Sequence, residues 1–334
     1  MENHPKVSII IPARAINDYI LESVPKILEL DWDDYEILII TDKKDTQHTW
    51  PKTHLLVSGP VGPAEKRDLG AKKASGEILA FLDDDAYPES NWLKESIHCF
   101  LEDEKVAAVG GPAITPGDDG ILQKVSGAVF ESYLGGGPAR NRYMCLGDHC
   151  LCEDWPTVNL LVRKDVFEKI GGFDTAYWPG EDTKLCLDIL NAGYLMKYDP
   201  KAIVYHHRRS DLYKHLKQTG NYALHRGHFA KKYPKTSLKL FYFVPTLFDL
   251  YLAVLLSSCL AVWLGEIQFD SWTEYSLLIP IAIYSVGLVI DALIISWRWK
   301  NPLVGLLATP MILLTHLWYG IRFVQGLAVT KLAR

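Results

Sequence analysis

Three consecutive carboxylates, Asp83, Asp84 and Asp85, directly follow the apolar run "EILAFL" at Glu77–Leu82. Neighbouring like charges repel, and an isolated acidic triplet is usually a solvated turn. This triplet instead follows a run that predicts a buried strand. Mg²⁺ and Mn²⁺ prefer oxygen ligands and are commonly held by one or two carboxylates together with nucleotide phosphates. The pattern therefore favours a metal–nucleotide site over a solvated turn.

A second acidic pair, Glu181 and Asp182, lies in the segment "PGEDTKLCLDILNAG" at Pro179–Gly193. The apolar spacing predicts a helix that ends at Gly193 and has both acids in its first turn. The helix dipole favours ionised carboxylates at that position. The residues alone leave two interpretations open, helix capping and a catalytic base held in its ionised form.

Buried strands alternate with helices in the N-terminal part and must position these acids. Apolar runs predict strands at Lys6–Pro12, Tyr35–Ile40, Glu77–Leu82 and Thr157–Arg163, and Pro63–Ala74 reads as a helix. This order predicts an α/β fold with a mostly parallel sheet and crossover helices. Ligands bind beyond the carboxyl ends of such strands. Asp42, which follows the second strand, should therefore share one edge of the sheet with the acidic triplet.

The chain of 334 residues, with net charge −5 and 49% hydrophobic residues, is long enough for two units. Three C-terminal segments contain the roughly 20 apolar residues that a membrane span requires. They are Leu240–Leu264, Ser276–Trp297 and Leu303–Val324. We expect a cytosolic domain over residues 1–235 and a membrane domain of about three transmembrane helices over residues 236–334.

Charge around these segments predicts their orientation. Lys201–Lys239 contains ten Lys or Arg, five His and one acid, Asp211, and should lie among anionic headgroups at the cytoplasmic surface. The loop carrying Arg298 and Lys300 should be cytoplasmic by the positive-inside rule. Three full spans would put the basic tail outside, so Leu240–Leu264 is either a span or partly interfacial. The expected location is the cell membrane, as a multi-pass protein with a cytosolic catalytic domain.

Six cysteines are present, and the polar N-terminus shows no secretory leader, which favours reduced thiols. Cys145, Cys150 and Cys152 surround His149 in the sequence. Their spacing lacks a paired C-x-x-C, so it favours free thiols over a metal site.

Four motifs in order make the chain resemble the family 2 glycosyltransferases, which have the GT-A fold. They are "VSIIIPAR", "GPAEKRDLGAKKASGEILAFLDDDAYP", "NLLVRKDVFEKIGGFD" and "GEDTKLCLDILNAGY", and the resemblance covers roughly residues 6–230. The apolar C-terminal segments and "QTGNYALHRGH" resemble the membrane-bound bacterial branch, similar to succinoglycan-type exopolysaccharide transferases.

The resemblance implies a role for each matching residue. Nucleotide-sugar binding falls to Pro12, Arg14, Asp42, Arg67, Asp83, Asp84, Gln218, His225 and Arg226. The metal, Mn²⁺ or Mg²⁺, falls to Asp85 and His206. The acceptor side falls to Asn159, Arg163 and Trp178. Asp182 matches the catalytic base and Glu181 lies beside it. Thr41 departs from the usual paired acid before Asp42, and "HRGH" lacks the Trp of a Q-x-x-R-W-type motif, which weighs against processive polymer synthesis.

The implied function is inverting, metal-dependent transfer of a sugar from a nucleotide-sugar, with a UDP-sugar as the expected donor. The acceptor would be a hydroxyl of a membrane-associated, lipid-linked or polysaccharide molecule. One alternative is a polyprenyl-phosphate glycosyltransferase, although an ionised phosphate acceptor needs no base and the pair Glu181–Asp182 favours a hydroxyl. Another is a non-catalytic membrane subunit of a polysaccharide export complex. Nucleic acid is not an expected partner.

Overall fold

The computed structural model describes residues 4–177 and 179–332, which form two compact units. Described residues up to 116 and from 141 to 207 form the first unit, and those from 117 to 140 and from 208 onward form the second. The contacts thus divide the chain within the basic segment Lys201–Lys239, between residues 207 and 208, and they add residues 117–140 to the second unit. The functional boundary expected near residue 235 stays a prediction.

The first unit contains an eight-stranded sheet and a three-stranded sheet. In chain order the strands are β1 (Val7–Pro12), β2 (Tyr35–Thr41), β3 (Thr53–Val57), β4 (Ile78–Leu82), β5 (Ala86–Pro88), β6 (Val106–Gly110), β7 (Ala113–Ile114), β8 (Cys150–Leu151), β9 (Asn159–Arg163), β10 (Leu195–Tyr198) and β11 (Val204–His206). The large sheet has the order β3-β2-β1-β4-β9-β6-β10-β8, and the small sheet has the order β5-β11-β7. Strands β1 to β4 run parallel, as the sequence predicted, whereas β9 is antiparallel to both of its neighbours.

Helices occur in both units. In chain order they are α1 (Asp18–Leu28), α2 (Pro63–Lys73), α3 (Trp92–Glu102), α4 (Ile121–Glu131), α5 (Tyr133–Gly136), α6 (Lys164–Lys169), α7 (Glu181–Asn191), α8 (Leu212–Lys232), α9 (Pro234–Ser237), α10 (Leu240–Trp263), α11 (Ser271–Arg298) and α12 (Pro302–Ala328). A 3₁₀ helix spans Gly137–Arg142. Helices α4, α5 and α8 to α12 belong to the second unit.

The central strands of the large sheet are buried on both faces, which explains their uninterrupted apolar runs. In β1, Ile9 and Ile11 pack into one hydrophobic core, while Ile10 packs into the core on the opposite face. Helix α2 covers the Ile10 face at close range, because a Cβ at Gly70 would lie only 2.6 Å from Ile10 Cγ2. This close packing fixes α2 against the sheet, and with it the side chains of Lys66 and Arg67.

In the second unit, α10, α11 and α12 are long and apolar enough to span a membrane, with mean hydropathies of 1.8, 2.4 and 1.5. They confirm the three predicted apolar segments. Helix α11 begins five residues before the predicted segment because Asp270 caps its first turn by accepting from the backbone N–H of Thr273. Helix α10 continues through Pro245 rather than breaking there.

Helices α4 and α8 pack against α12 within the second unit. Helices α8 and α12 approach so closely that a Cβ at Gly227 would lie 2.1 Å from the carbonyl oxygen of Phe323. Small residues allow such backbone contact between membrane helices. Helix α4 buries Val125 and Val129 in the same core as Ile312 of α12. Helix α8 therefore packs against α12 through small residues, and it also carries part of the basic segment Lys201–Lys239.

Candidate active site

The acidic triplet meets a histidine from the small sheet. Asp83 and Asp85 follow β4, and His206 ends β11, where it pairs in register with Ala86 of β5. One ligand atom from each of Asp83, Asp85 and His206 lies within 4.8 Å of the others. His206 Nε2 is 3.1 Å from Asp85 Oδ1. In the described part of the chain this is the one group of His, Cys, Asp or Glu side chains with metal-site geometry.

The donor atoms of this group suit a divalent cation. Two carboxylates supply the hard oxygen ligands that Mg²⁺ and Mn²⁺ prefer, and the imidazole adds a nitrogen ligand. Asp84 points elsewhere and accepts a hydrogen bond of 2.9 Å from Asn17 Nδ2. Burial, followed by the charges of Asp85 and Asp83, raises the pKa of Asp84 to about 6. The triplet thus contains one carboxyl group that is held apart by Asn17 and has a raised pKa, and two that converge with His206.

Arg67 joins the two acidic motifs. Its side chain is only 3% exposed, and its two terminal nitrogens donate to Asp83 at 2.6 Å and to Glu181 at 3.0 Å. Burial lowers the pKa of Arg67, but the carboxylates of Asp83 and Glu181 more than offset that effect, so the guanidinium stays charged. The resemblance assigned Arg67 to nucleotide-sugar binding, and that role stays a prediction. The contacts that the structure shows are with the acids on either side.

Glu181 and Asp182 begin α7 in different environments. Glu181 is 5% exposed, and burial, with the charge of Asp182 next, raises its pKa to about 7 against the opposing effect of Arg67. The helix dipole predicted an ionised group here, but for Glu181 desolvation outweighs the dipole. Asp182 is more exposed, and its Oδ1 accepts from the backbone N–H of Thr183 at 2.7 Å. The preceding Gly180 has φ of 114°, a conformation that favours glycine.

Asp42 lies at the same edge of the sheet as the triplet, as expected from the parallel pairing of β1 with β2 and β4. Its carboxylate binds the ammonium of Lys66, which also donates to the carbonyl of Ala13. Lys66 is buried, and the sequence analysis missed it although it adjoins Arg67 in "EKR". Pro12, at the end of β1, is buried, and Arg14 is exposed.

Asn159 and Arg163, assigned by resemblance to the acceptor side, form hydrogen bonds to other residues of the fold. Asn159 Nδ2 donates to the carbonyl oxygen of Pro112 at 3.1 Å and to that of Ala202 at 2.8 Å. Its Oδ1 accepts from Trp92 Nε1 at 2.8 Å. Arg163 donates to the carbonyls of residues 106 and 100. The acceptor role of both residues remains untested, and Trp178 lies outside the described residues.

The three residues assigned to the donor pyrophosphate lie on α8, in the second unit. Gln218 Nε2 donates to the hydroxyl of Tyr222 at 3.0 Å. His225 Nδ1 lies 2.8 Å from the carbonyl oxygen of Asn221. Arg226 donates to Ser237 Oγ at 3.4 Å, and its guanidinium lies 5.0 Å from the ring centre of Tyr242. Their role at the donor stays a prediction.

His207 is a further residue beside the metal group. Its backbone N–H donates to the carbonyl of Asp85 at 3.0 Å. Its imidazole lies 3.1 Å from Glu22 Oε2 and stacks on Tyr19 with ring centres 4.8 Å apart. In the sequence it adjoins His206 as the pair "HH". His207 anchors the strand end that presents His206.

None of the six cysteines forms a disulfide. Cys145 and Cys150 are exposed and Cys152 is half-buried. Burial raises the pKa of Cys152 to about 12 and so keeps that thiol protonated at neutral pH.

The fold gives the structural class of the protein. The structure is similar to that of the mannosyltransferase PcManGT from Pyrobaculum calidifontis, solved with GDP-mannose and Mn²⁺. The TM-score is 0.57 at 17% identity, over 93% of this chain and 88% of that one. The mixed sheet with flanking helices is a GT-A fold, accompanied here by three membrane-length helices.

Sequence comparison then gives the family. Residues 8–171 match the model of "Glycosyl transferase family 2". A pre-mycofactocin glycosyltransferase of Mycobacterium tuberculosis is 28% identical over 54% of this chain, but the match spans only 37% of that relative. A dolichyl N-acetyl-α-D-glucosaminyl phosphate 3-β-D-2,3-diacetamido-2,3-dideoxy-β-D-glucuronosyltransferase of Methanococcus voltae is 25% identical over 96% of this chain and 97% of its own length. Residues 8–171 therefore carry a family 2 glycosyltransferase domain.

Proposed function

We propose that the protein is a metal-dependent, inverting glycosyltransferase. It moves a sugar from a nucleotide-sugar, expected to be a UDP-sugar, to a hydroxyl group of a membrane-associated acceptor. The observation that carries this proposal is the convergence of Asp83, Asp85 and His206, linked through Arg67 to the acidic pair at the start of α7. The catalytic domain is proposed to face the cytosol at the cell membrane.

The donor end of the site is built from the triplet and its neighbours. Asp85, His206 and Asp83 would hold Mn²⁺ or Mg²⁺, which would offset the charge of the leaving nucleotide diphosphate. The neighbour from Pyrobaculum, solved with GDP-mannose and Mn²⁺, supports this assignment. Asp42, held by Lys66 at the same sheet edge, is proposed to accept hydrogen bonds from the nucleoside.

The acceptor end is built from α7. Asp182 accepts the proton of the acceptor hydroxyl while that oxygen forms a bond to the anomeric carbon and the bond to the diphosphate oxygen breaks. Attack opposite the leaving group inverts the anomeric centre. Glu181, whose carboxyl group is largely protonated up to about pH 7, can donate a hydrogen bond and position the acceptor. Arg67 keeps the metal ligand Asp83 and this acidic pair in a fixed relation.

A sugar on a polyprenyl phosphate is the acceptor that the observations favour. The relative from Methanococcus voltae, which matches nearly the full chain, is named for a sugar carried on a dolichyl phosphate. The three membrane-length helices are consistent with an acceptor that resides in a bilayer. A hydroxyl acceptor also explains the carboxylate of Asp182, which is only half-buried, because a phosphate acceptor would need no base.

Full-length protein in detergent can be tested with radiolabelled nucleotide-sugars and two acceptors, a polyprenyl phosphate and the same lipid carrying one sugar. We expect transfer to the glycosylated lipid alone, loss of transfer with EDTA and recovery with Mn²⁺ or Mg²⁺. Nuclear magnetic resonance of the product should show the opposite anomeric configuration to the donor. Transfer to the bare phosphate lipid would show instead a polyprenyl-phosphate glycosyltransferase, and EDTA-resistant transfer would remove the metal from the mechanism.

A further inference from the structure

The turn between α11 and α12 contains a lysine where the backbone favours glycine. The N–H of Lys300 donates to the carbonyl of Trp297 at 3.2 Å, and that of Asn301 donates to Ser296 at 3.1 Å. This pair of hydrogen bonds is the Schellman pattern of a helix C-terminus, and its left-handed residue is usually glycine. Lys300 occupies that position with φ of 48°. A strained, non-glycine residue is a reason to look for a function of its side chain.

The other non-glycine residue with positive φ in the described chain provides a comparison. Lys52, with φ of 55°, donates from its ammonium to the carbonyl of Asp33 at 2.8 Å and lies 3.9 Å from the ring centre of Tyr35. Contacts within the protein therefore account for Lys52. Lys300 is exposed, and the described part of the chain gives its ammonium no hydrogen bond, ion pair or ring contact. Its strained conformation is thus not explained by contacts within the described chain.

Lys300 borders a cavity of about 580 Å³, which is lined by Ser296, Trp297, Arg298, Lys300 and Pro302. Trp297 is 83% exposed. The cavity therefore combines two cationic side chains and an exposed aromatic ring at the end of two membrane-length helices. Trp is enriched at the headgroup level of bilayers, where its ring is partly apolar and partly hydrated.

Basic side chains cluster around the buried Glu131, and one of them, Arg298, also lines the cavity. Glu131 is buried, and Arg140, Arg208 and Arg298 all act on its charge. Arg298 lies 3.9 Å from the Glu131 carboxylate, and Arg140 donates to its backbone carbonyl at 2.7 Å. One carboxylate thus faces three arginines, with Lys300 as a further cation. The carboxylate of Asp291 accepts hydrogen bonds from the backbone N–H groups at the start of α5.

We propose that this cavity binds the phosphate headgroup of an anionic membrane phospholipid, with Lys300 and Arg298 contacting the phosphate and Trp297 lying at headgroup depth. The inference requires α11 and α12 to span the membrane and is independent of the proposed reaction. A phospholipid is favoured over a soluble anion because the cavity lies at the ends of bilayer-length helices, where anionic headgroups attract basic side chains. On this proposal the ammonium of Lys300 contacts lipid rather than protein, which accounts for a lysine in this strained position.

The full chain in neutral detergent can be titrated with phosphatidylglycerol, phosphatidylcholine, inorganic phosphate or a polyprenyl phosphate. Native mass spectrometry counts bound lipid, and tryptophan fluorescence follows the melting temperature. We expect phosphatidylglycerol to bind and stabilise, whereas phosphatidylcholine and inorganic phosphate do neither. Lys300→Gly should weaken phosphatidylglycerol binding about fivefold, the scale of one cation at a lipid surface. Because it also relieves the backbone, it should not lower the melting temperature without lipid.

Lys52→Gly is the matched control, since it makes the same backbone change in the first unit and should bind phosphatidylglycerol as the wild type does. Lys300→Arg should keep binding. Wild-type affinity in Lys300→Gly, equal binding of phosphatidylcholine, or saturation by inorganic phosphate would each overturn the proposal. Displacement of phosphatidylglycerol by polyprenyl phosphate would assign the cavity to the substrate lipid and overturn the resident phospholipid.

Discussion

Replacing Arg67 by Met should destabilise the first unit strongly, because it leaves Glu181 and Asp83 without their shared cation. Both contacts are short, at 3.0 and 2.6 Å, and the guanidinium is almost fully buried. Removing one partner of a buried ion pair typically costs about 3–5 kcal/mol. For a unit of this size that cost lowers the melting temperature by roughly 6–20 °C.

Protonation of Glu181 sets the pH dependence of this loss. Arg67 is the group that lowers the pKa of Glu181 against burial, so the variant should have an even higher Glu181 pKa. A carboxyl group whose pKa is raised on folding binds more protons in the folded state, and it therefore loses stability as pH rises through that pKa. The Arg67→Met penalty should accordingly be larger at pH 8 than at pH 6.

The assay is thermal unfolding of the full chain in detergent with EDTA, followed by tryptophan fluorescence. Arg14→Met is the matched control, since Arg14 is exposed and its removal should change stability by less than about 0.5 kcal/mol. Arg67→Lys keeps one charge but cannot span both acids, so it should fall between wild type and Arg67→Met. Adding Glu181→Gln to Arg67→Met should restore part of the stability. A stable Arg67→Met variant, or strictly additive effects in the double variant, would refute the coupling.

Four further outcomes are expected. Asp182→Asn should slow single-turnover transfer by about 10²-fold or more with little change in donor affinity, while Glu181→Gln costs less; the reverse order would exchange their roles. Asp85→Ala should abolish Mn²⁺-dependent UDP binding in calorimetry, and wild-type affinity would contradict the metal assignment. In EDTA the wild type should lose stability as pH rises from about 4.5 to about 7, and Glu181→Gln should make that slope shallower but not abolish it, since the raised carboxyls Asp68 and Asp84 titrate in both proteins; an unchanged slope would contradict the high pKa of Glu181. Gly227→Val should lower the melting temperature of the second unit, because its side chain would collide with the Phe323 carbonyl; an unchanged melting temperature would mean that α8 and α12 separate without cost.

The sequence was sufficient for the elements whose signal is local. The strands β1, β2 and β4 are continuous apolar runs, and the edge of the sheet follows from their parallel order. Because ligands bind beyond the carboxyl ends of such strands, the sequence alone predicted that Asp42 and the acidic triplet share one edge of the sheet. The three apolar segments were equally visible, because length and hydropathy decide them.

Features that depend on distant contacts were not predictable in the same way. The strand β11 has only three residues, and its pairing with β5 joins residues 120 positions apart, His206 and Ala86. Lys66 lies in a polar helix whose sequence gives no sign that this ammonium is buried. The high pKa of Glu181 reverses the expectation from the helix dipole, because the sequence shows the first turn but not the burial.

The position of α4 in the chain has a consequence for synthesis. Val125 and Val129 are buried in a core that includes Ile295 of α11 and Ile312 of α12, and Ile312 follows about 180 residues later, or roughly 10–40 s at usual translation rates. During that time the first unit, up to residue 207, has already been synthesised, while α4 still exposes its apolar side. A chaperone or the membrane surface must cover that side until the last helix arrives. Truncations that remove α12 should therefore yield chains that aggregate through α4, even where every residue of the sugar-transfer site is present.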